Sequence, residues 1–361
     1  MDIANIVGQF ATNGTLQDRR ANTTGHINTT IMVRTSAGSS YVLQRINTAV
    51  FPHPAELMEN IHLVTTHIAS KVAGLPDASR RHLSIIPTKD GRLFHQEPDG
   101  SCWRMYAFID QVDNYDTVAD EEIAYRFGRA VGLFQSQMRD FDGDRLFITI
   151  PHFHDMAWRY AQLDAAVKSD RCGRVKETRP ELAYLEENRR RGCAIWDLWQ
   201  AGRLPTRVTH NDTKVNNVLF GKDGLSCMID LDTVMPGTIL FDTGDMIRTA
   251  TTTAAEDAPD VKQVHCDTSC FRALLEGYAE AASFLTEAEA SLLAESGRTI
   301  TQIMAVRFLT DYLDGDRYYA TSRPGQNLDR ARNQLAFMRS MDAQREKIPH
   351  IPSLAQRRSS V

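Results

Sequence analysis

The stretch that decides the fold of this chain is Val208-Thr209-His210-Asn211-Asp212-Thr213-Lys214-Val215-Asn216-Asn217-Val218-Leu219-Phe220. A second apolar run, LSCMIDLD, follows the turn signal Asp223-Gly224 and places Asp230 thirteen residues after Asn217. Asn and Asp are common turn residues, so the structural alternative is a polar loop with ordinary caps and turns. That alternative does not explain why the polar residues keep this spacing between two apolar strands.

The polar residues of this stretch have the chemistry that phosphoryl transfer requires. A carboxylate must accept the proton of the attacking hydroxyl, and oxygen ligands must hold Mg²⁺ against the triphosphate of ATP. We predict that Asp212 is the base and that Asn217 and Asp230 are the Mg²⁺ ligands. Lys214 is predicted to reach the transferring phosphoryl oxygens, and His210 to support the loop. This H-x-D-x-K-x-x-N pattern with a downstream Asp is typical of the protein-kinase-like fold.

The order of apolar patterns predicts an α+β, protein-kinase-like bilobal fold. In the first hundred residues, TTIMVRT and YVLQRIN predict a hairpin, LSIIPTKDGRLFHQEPDGSCWRMYAFID predicts three short strands, and the spacing in PAELMENIHLVTTHI predicts one helix. Helical patterns dominate beyond about residue 117, and Thr286 with Glu289 forms a capping-box signature. We predict a β-rich nucleotide-binding lobe over residues 1–110 and a helical lobe with the catalytic loop and substrate site over 111–361, with ATP in the cleft. The tail after Ile348 is predicted to be loose.

The predicted nucleotide site of the first lobe departs from the kinase pattern. Residues 23–30 stand in the place of the phosphate-covering loop with a single glycine, and we predict that Thr24 and Gly25 contact the phosphates. Gln44 stands where such kinases carry a strand lysine, and Arg45 beside it should point to the opposite face. The sequence therefore leaves open which cation faces the α- and β-phosphates. Asp232 also stays open, as a secondary metal ligand, as a residue that supports the metal ligands from behind, or as a solvated carboxylate.

Composition argues against several classes of protein. The 41 Lys and Arg residues are outnumbered by 46 Asp and Glu, and the net charge of −5 speaks against a nucleic-acid binder. No apolar run approaches the length of a membrane span, and the first residues have no basic n-region typical of a secretory signal. Six scattered cysteines show no disulfide framework. We expect a cytoplasmic protein without membrane, nucleic-acid or obligate protein partners.

The chain resembles the aminoglycoside phosphotransferase and choline kinase superfamily, and in particular the N-acetylhexosamine 1-kinases. The strings that carry the resemblance are GHINTT, YVLQRIN, FPHPAELMENIHLVT, HFHD, RVTHNDTKVNNVLF, IDLDTVMPGTILFDTGDMIR and RFLTDYLDGDRYYAT. The resemblance implies the same base and Mg²⁺ ligands. It further implies that a sugar is contacted by His26, Asp230, Arg307 and Tyr318, and that Asp245 braces the catalytic loop.

Each of these implied roles has a structural alternative. Arg307 precedes Asp311 by four residues on a helical pattern, so an ion pair would account for it. Tyr318 is equally typical of a core aromatic, and His26 of a residue that stabilises its loop. Asp242 fits the N-cap of the following helix. The histidines of HFHD alternate without an obvious third ligand, so we interpret them as structural.

The resemblance implies a kinase that phosphorylates the C1 hydroxyl of N-acetylglucosamine or N-acetylgalactosamine. Two alternatives remain at this point: another small-molecule kinase, acting on an aminoglycoside, choline or homoserine, or a catalytically silent nucleotide-binding protein. The intact set of Asp212, Asn217 and Asp230 argues against the silent protein. The missing strand lysine argues for it.

Overall fold

The computed structural model describes residues 2–22, 27–222 and 224–348. The chain folds into two compact units that each draw on separate stretches of sequence. The first unit takes the chain up to Asn114, together with Gln137–Pro151 and Asn217–Pro236. The second takes Tyr115–Ser136, His152–Asn216 and the chain from Gly237 onward. The predicted lobes were continuous in sequence, whereas these units are not. The assignment of nucleotide and substrate binding to the two lobes stays a prediction.

An antiparallel sheet with strand order β1-β2-β3-β5-β4 forms the body of the first unit. The strands are β1 (Leu16–Asn22), β2 (Thr29–Thr35), β3 (Ser40–Ile46), β4 (His95–Gln96) and β5 (Cys102–Ala107). One face of the sheet is apolar and packs against the first helix, α1 (Ile3–Gly8), with Leu43 and Trp103 among the buried side chains. The predicted hairpin of β2 and β3 is confirmed, and Gly38 permits its turn with a φ of +82°.

The prediction of three strands in residues 83–110 is wrong for the first of them. Only β4 and β5 form there, while Ile85 makes a single bridge to Tyr106 and Thr88 a single bridge to Phe10. Pro87 interrupts this segment and has no N–H to donate, so a ladder does not propagate through it. The predicted helix is confirmed as α2 (Pro54–Val72).

A short hairpin of the first unit carries the two predicted metal ligands. Its strands are β7 (Val218–Phe220) and β8 (Ser226–Met228), which pair antiparallel. Beyond them the Ile229 N–H donates to the Asn217 carbonyl at 2.9 Å, so the chain on either side of the hairpin end stays together. Asp223 of the predicted turn lies outside the described residues, and Gly224 has a φ of +71°.

The second unit is mainly helical, with most helices packed around one long central helix. The helices are α3 (Glu121–Met138), α4 (Met156–Ser169), α5 (Arg179–Gln200), α6 (Ile239–Ala250), α7 (Thr268–Ala281), α8 (Glu287–Leu313) and α9 (Gln326–Ala343). This unit also contains the short strand β6 (Arg207–Thr209), whereas β9 (Met235–Gly237) belongs to the first unit except for its last residue. Helix α8 contacts α4, α5, α6 and α9. Its capping box of Thr286 and Glu289 is confirmed.

Helices α6 and α8 approach each other closely. A Cβ atom on Gly244 would lie 2.5 Å from the Ser296 carbonyl oxygen, so no larger residue fits without a shift of the backbone. Next to this contact the hydroxyls of Thr243 and Ser296 are 2.9 Å apart. This packing fixes the N-terminal part of α6, which holds the catalytic loop.

In the described part of the chain, no helix is long and apolar enough to cross a membrane.

Candidate active site

The catalytic loop begins where β6 ends and is held by a buried carboxylate of α6. The backbone N–H groups of His210 and Asn211 donate to Asp242 at 2.9 and 2.7 Å. The Thr213 hydroxyl donates to the carbonyl of Asp242 at 2.6 Å. Gln135 of α3 donates to the same carboxylate at 2.8 Å. Because Asp242 is fully buried, its pKa is raised, and its hydrogen bonds are all made away from water.

Asp242 therefore has the bracing contacts that the resemblance implied for Asp245. Asp245 is paired instead with Arg248, whose Nη2 lies 2.9 Å from its carboxylate. The predicted N-cap role of Asp242 is wrong, because Thr238 caps α6 and Asp242 lies in its first turn. Asp245 retains an electrostatic influence on Asp212 and Lys214. A supporting role for it stays a prediction.

Asp212, the predicted base, is ion-paired with Lys214. Lys214 Nζ lies 2.6 Å from Asp212 Oδ1, and the two side chains are 41% and 25% exposed. Burial favours a higher pKa for Asp212, but the charge and hydrogen bond of Lys214 hold it below its ordinary value. Its backbone N–H donates to Nδ1 of His210 at 3.3 Å. Asp212 is thus ionised at neutral pH, which is the state that a base requires.

The two histidines of HFHD have structural partners. His154 is buried, and its Nε2 lies 3.2 Å from the carbonyl of Asn211, a loop residue with a φ of +65°. Burial, aided by the charge of Arg307, lowers the pKa of His154 to about 3, so its ring is neutral. His152 stacks on Trp158 with ring centroids 4.9 Å apart. Among the described residues no group of three or more His, Cys, Asp or Glu side chains could hold a metal ion.

Asn217 and Asp230 lie at the open end of the β7–β8 hairpin in the first unit. Asn217 is 8% exposed, and Asp230 has a left-handed backbone with a φ of +58°. An amide oxygen and a carboxylate from adjacent chain segments are hard donors that suit Mg²⁺, which keeps several of its waters and takes few protein ligands. The donor chemistry of this hairpin end therefore fits the predicted ion. The assignment of both ligands stays a prediction.

Asp232 is not a solvated carboxylate, so that alternative is wrong, and a role for it in metal binding stays a prediction. It lies in a 3₁₀ turn, is 3% exposed, and binds Arg104 of β5 with an Nη1–Oδ1 distance of 2.5 Å. Asn28 donates to its other oxygen at 2.7 Å. The strand predicted from LSCMIDLD ends at Met228, and the left-handed backbone of Asp230 prevents it from continuing to Asp232. Arg104 lies 128 residues from Asp232 in sequence, so no local pattern predicts this pair.

Gln44 of β3 makes two polar contacts within the first unit. Its amide oxygen accepts from Arg104 Nε at 2.9 Å, and its amide nitrogen donates to the Thr30 hydroxyl at 3.0 Å. Arg45 pairs with Trp103 across the ladder and is exposed, as predicted from strand alternation. The predicted contacts of Thr24, Gly25 and His26 lie outside the described residues. A nucleotide role for Gln44 stays a prediction.

Two of the four predicted sugar contacts, Arg307 and Tyr318, lie together in the second unit. The Arg307 guanidinium is 5.8 Å from the ring centroid of Tyr318, 5.5 Å from that of Tyr319 and 5.4 Å from that of Phe153. Tyr318 is 66% exposed, so it is not a core aromatic. Arg307 has no carboxylate within ion-pair distance among the described residues, and its hydrogen bond there is a weak one to the sulfur of Met304.

The expected alternative for Arg307, an ion pair with Asp311, does not form because Asp311 is occupied elsewhere. Its carboxylate accepts the backbone N–H groups of Arg317, Tyr318 and Tyr319 at 2.8 to 3.0 Å. Asn327 donates to it at 2.9 Å. Asp311 therefore shapes the loop that presents the two tyrosines, a role that the sequence analysis missed.

Comparison with known proteins agrees with this architecture. Residues 18–292 match the sequence model of the phosphotransferase enzyme family. An aminoglycoside phosphotransferase from Alicyclobacillus acidocaldarius is similar in structure, with a TM-score of 0.60, 14% identity, and coverage of 95% of this chain and 96% of that one. A spectinomycin phosphotransferase solved with ADP and spectinomycin has a TM-score of 0.60 and 11% identity, and the match covers 96% of this chain and 98% of that one. An amicoumacin kinase solved with AMP-PNP and Ca²⁺ has a TM-score of 0.54 and 12% identity, and the match covers 96% of this chain and 91% of that one. The predicted kinase-like fold, with an antiparallel-sheet N-terminal part and a larger helical part, is confirmed.

Proposed function

Because the chain belongs to the phosphotransferase enzyme family, we propose that it transfers the γ-phosphoryl group of ATP to the anomeric hydroxyl of N-acetylglucosamine or N-acetylgalactosamine. The family supports the coarser part of this statement, a small-molecule kinase that phosphorylates a hydroxyl group. The sugar and the position of attack rest on the resemblance and on the environment of Arg307.

In the proposed reaction Asp212 takes the proton of the C1 hydroxyl as that oxygen forms a bond to the γ-phosphorus. The bond between the γ-phosphorus and the bridging oxygen breaks, and ADP leaves with the electron pair. The anomeric hydroxyl is more acidic than an ordinary alcohol, so a base with the low pKa of Asp212 suffices. A Mg²⁺ ion held by Asn217 and Asp230 would neutralise charge on the phosphates. Lys214, which is paired with Asp212, holds the carboxylate in its ionised form.

The observation that carries the choice of substrate is the guanidinium of Arg307 beside three aromatic rings. A cation without an acidic partner can donate hydrogen bonds to the hydroxyl or carbonyl oxygens of an uncharged ligand. Aromatic faces and a few convergent donors are also typical of small-molecule sites. A neutral amide-bearing sugar therefore fits these residues.

The charge of the same region argues against a polycationic acceptor. Arg159 lies close enough to Arg307 that, after burial, the charge of Arg307 is the next cause that lowers its pKa, to about 10. Arg159 donates to Gln162 and to the carbonyl of Phe153, and its Nε has no partner among the described residues. Two guanidinium groups near each other would repel an aminoglycoside or choline. This favours the sugar over the two cationic alternatives, an aminoglycoside and choline.

The test is ADP release with a panel of acceptors, followed by phosphorus NMR of the product. We expect turnover with the two N-acetylhexosamines and at most weak turnover with glucose, choline, homoserine and an aminoglycoside. Phosphorus coupling to H1 of the product would support attack by the anomeric hydroxyl. Coupling to the two H6 protons would refute it, and preferential turnover of the aminoglycoside would refute the sugar.

A further inference from the structure

Arg104 of β5 lies directly opposite Gln44 in the β3–β5 ladder. Directly opposite residues of an antiparallel pair share one face of the sheet, so the guanidinium stands on the face of the position where kinases of this fold carry their lysine. The two side chains are joined by the 2.9 Å hydrogen bond from Nε to the Gln44 amide oxygen. A cation is thus present beside that position, but it comes from the neighbouring strand.

The surroundings of Arg104 leave part of its guanidinium available. The side chain is 1% exposed, and its Nε and Nη1 groups donate to Gln44 and Asp232. For Nη2 the described residues provide no acceptor within hydrogen-bond distance. The guanidinium also lies over the ring of Tyr106, with its Cζ 5.3 Å from the centroid. The two hydrogen bonds use Nε and Nη1, and a guanidinium N–H is a strong donor to a charged ligand oxygen.

Asp232 connects Arg104 to the end of the predicted phosphate-covering segment. While one of its oxygens binds Arg104, the other accepts from Asn28, and the Asn28 amide oxygen accepts the backbone N–H of Asn47 at 3.0 Å. Asn28 belongs to residues 23–30, the segment that the sequence analysis assigned to phosphate binding. The buried cation and the described end of this segment are therefore held by the same carboxylate.

We propose that Arg104 binds the α- and β-phosphate oxygens of the nucleotide and replaces the strand lysine, with Gln44 and Asp232 as the residues that position it. Its planar fork can offer two parallel N–H donors to a phosphate, which a lysine cannot. Among the described residues neither Glu56 nor Glu59 of α2 forms an ion pair, and the carboxylate that pairs with Arg104 is that of Asp232. The inference rests on the use of ATP in the proposed function, but not on the identity of the sugar.

A purely structural role is the competing explanation, and nucleotide affinities separate the two. The experiment measures AMP, ADP and ATP binding by calorimetry in the absence of sugar, for the wild type and for Arg104→Met. We expect ADP and ATP to bind about 10- to 100-fold more weakly to the variant, as for the loss of a hydrogen bond to a charged group. AMP should change by less than the diphosphate, because it lacks the β-phosphate. Arg45→Met is the matched control, since Arg45 is the exposed next residue after Gln44.

Gln44→Glu gives the same test in a protein that keeps the buried cation. The new carboxylate would bind Arg104 and compete with phosphate, so we expect the preference for ADP over AMP to fall. The double variant Gln44→Lys with Arg104→Gln restores a lysine at the strand position and should recover ADP affinity relative to Arg104→Gln alone. An unchanged ratio of ADP to AMP affinity in both Arg104→Met and Gln44→Glu would overturn the proposal. A wild type that binds ADP but phosphorylates no sugar would refute the proposed substrate and leave this inference standing.

Discussion

Lys214 Nζ lies 2.6 Å from Asp212 Oδ1, so the lysine expected on the phosphoryl group is ion-paired with the proposed base. The pair keeps Asp212 ionised although burial alone would favour its protonated form. The lysine therefore extends to lower pH the range over which the Asp212 carboxylate is ionised and can act as a base. The consequence can be measured as a pH dependence.

Lys214→Met should move the acid limb of the kcat profile to higher pH. In the wild type the pKa of Asp212 is below its ordinary value, so the base stays ionised as pH falls towards that pKa. Without the lysine, burial dominates and the pKa rises, so activity is lost at a higher pH. Lys222→Met, which changes an exposed lysine on the β7–β8 connection, should leave the limb in place. If the acid limb of the kcat profile fell at the same pH in the wild type and in Lys214→Met, the ion pair would not be what lowers the pKa of Asp212.

Asp242→Asn should destabilise the protein and slow catalysis together. One carboxylate oxygen becomes an amide nitrogen that faces a backbone or Gln135 donor, so buried hydrogen bonds are lost. The expected loss in the free energy of unfolding is about 1–3 kcal/mol. Denaturant unfolding would measure it. Asp164→Asn removes the half-exposed partner of Arg189 and should cost less than about 1 kcal/mol. A stable Asp242→Asn with full kcat would show that the loop does not depend on this brace.

The features that were predicted correctly are set by residues close together in the sequence, and the contacts that were not predicted join residues far apart in it. The β2–β3 hairpin, the capping box of α8 and the catalytic motif are each readable within a few residues. The contact of Arg104 with Gln44 spans sixty residues and follows from the β3–β5 register, which no local pattern reveals. Asp242 is likewise about thirty residues from the backbone groups it accepts.

Asp311 was missed for a different reason. Its three backbone donors are only six to eight residues away, so distance did not hide them. A carboxylate on a helix four residues after an arginine is typical of an ion pair, and that pattern gave the wrong partner. An aspartate near a helix end followed by a glycine-containing loop was the signal that could have suggested a loop cap.

Removal of divalent metal should abolish turnover, and Asp230 and Asp232 should respond differently to mutation. Excess EDTA is expected to stop ADP release, and added Mg²⁺ to restore it. Asp230→Asn should raise the Mg²⁺ concentration needed for half-maximal rate with little change in thermal stability, because the residue is exposed. Asp232→Asn should instead lower stability by about 3–5 kcal/mol, since it leaves the charge of Arg104 buried without its partner. Full activity in EDTA, or an unaltered Mg²⁺ requirement in Asp230→Asn, would refute the metal assignment.

Arg307→Ala should raise KM for the sugar while the affinity for ATP stays nearly unchanged. Among the described residues the guanidinium forms no ion pair with a carboxylate. Its removal there breaks only aromatic contacts and the weak hydrogen bond to the sulfur of Met304. A lost hydrogen bond to an uncharged ligand from a charged donor is worth about 1.5–3 kcal/mol, or roughly 10- to 100-fold in kcat/KM. Steady-state kinetics with ATP saturating and sugar varied would show it.

Two variants decide whether that effect comes from the guanidinium itself. Arg317→Ala removes an exposed arginine from the same loop and should leave the sugar KM as it is. Asp311→Ala keeps Arg307 but removes the acceptor of three backbone N–H groups, so the tyrosine loop should loosen and KM should rise together with a fall in melting temperature. Arg307→Ala should raise KM without such a fall. If Arg307→Ala lowered the melting temperature and left the sugar KM unaltered, Arg307 would be a structural residue and the substrate assignment would lose its main support.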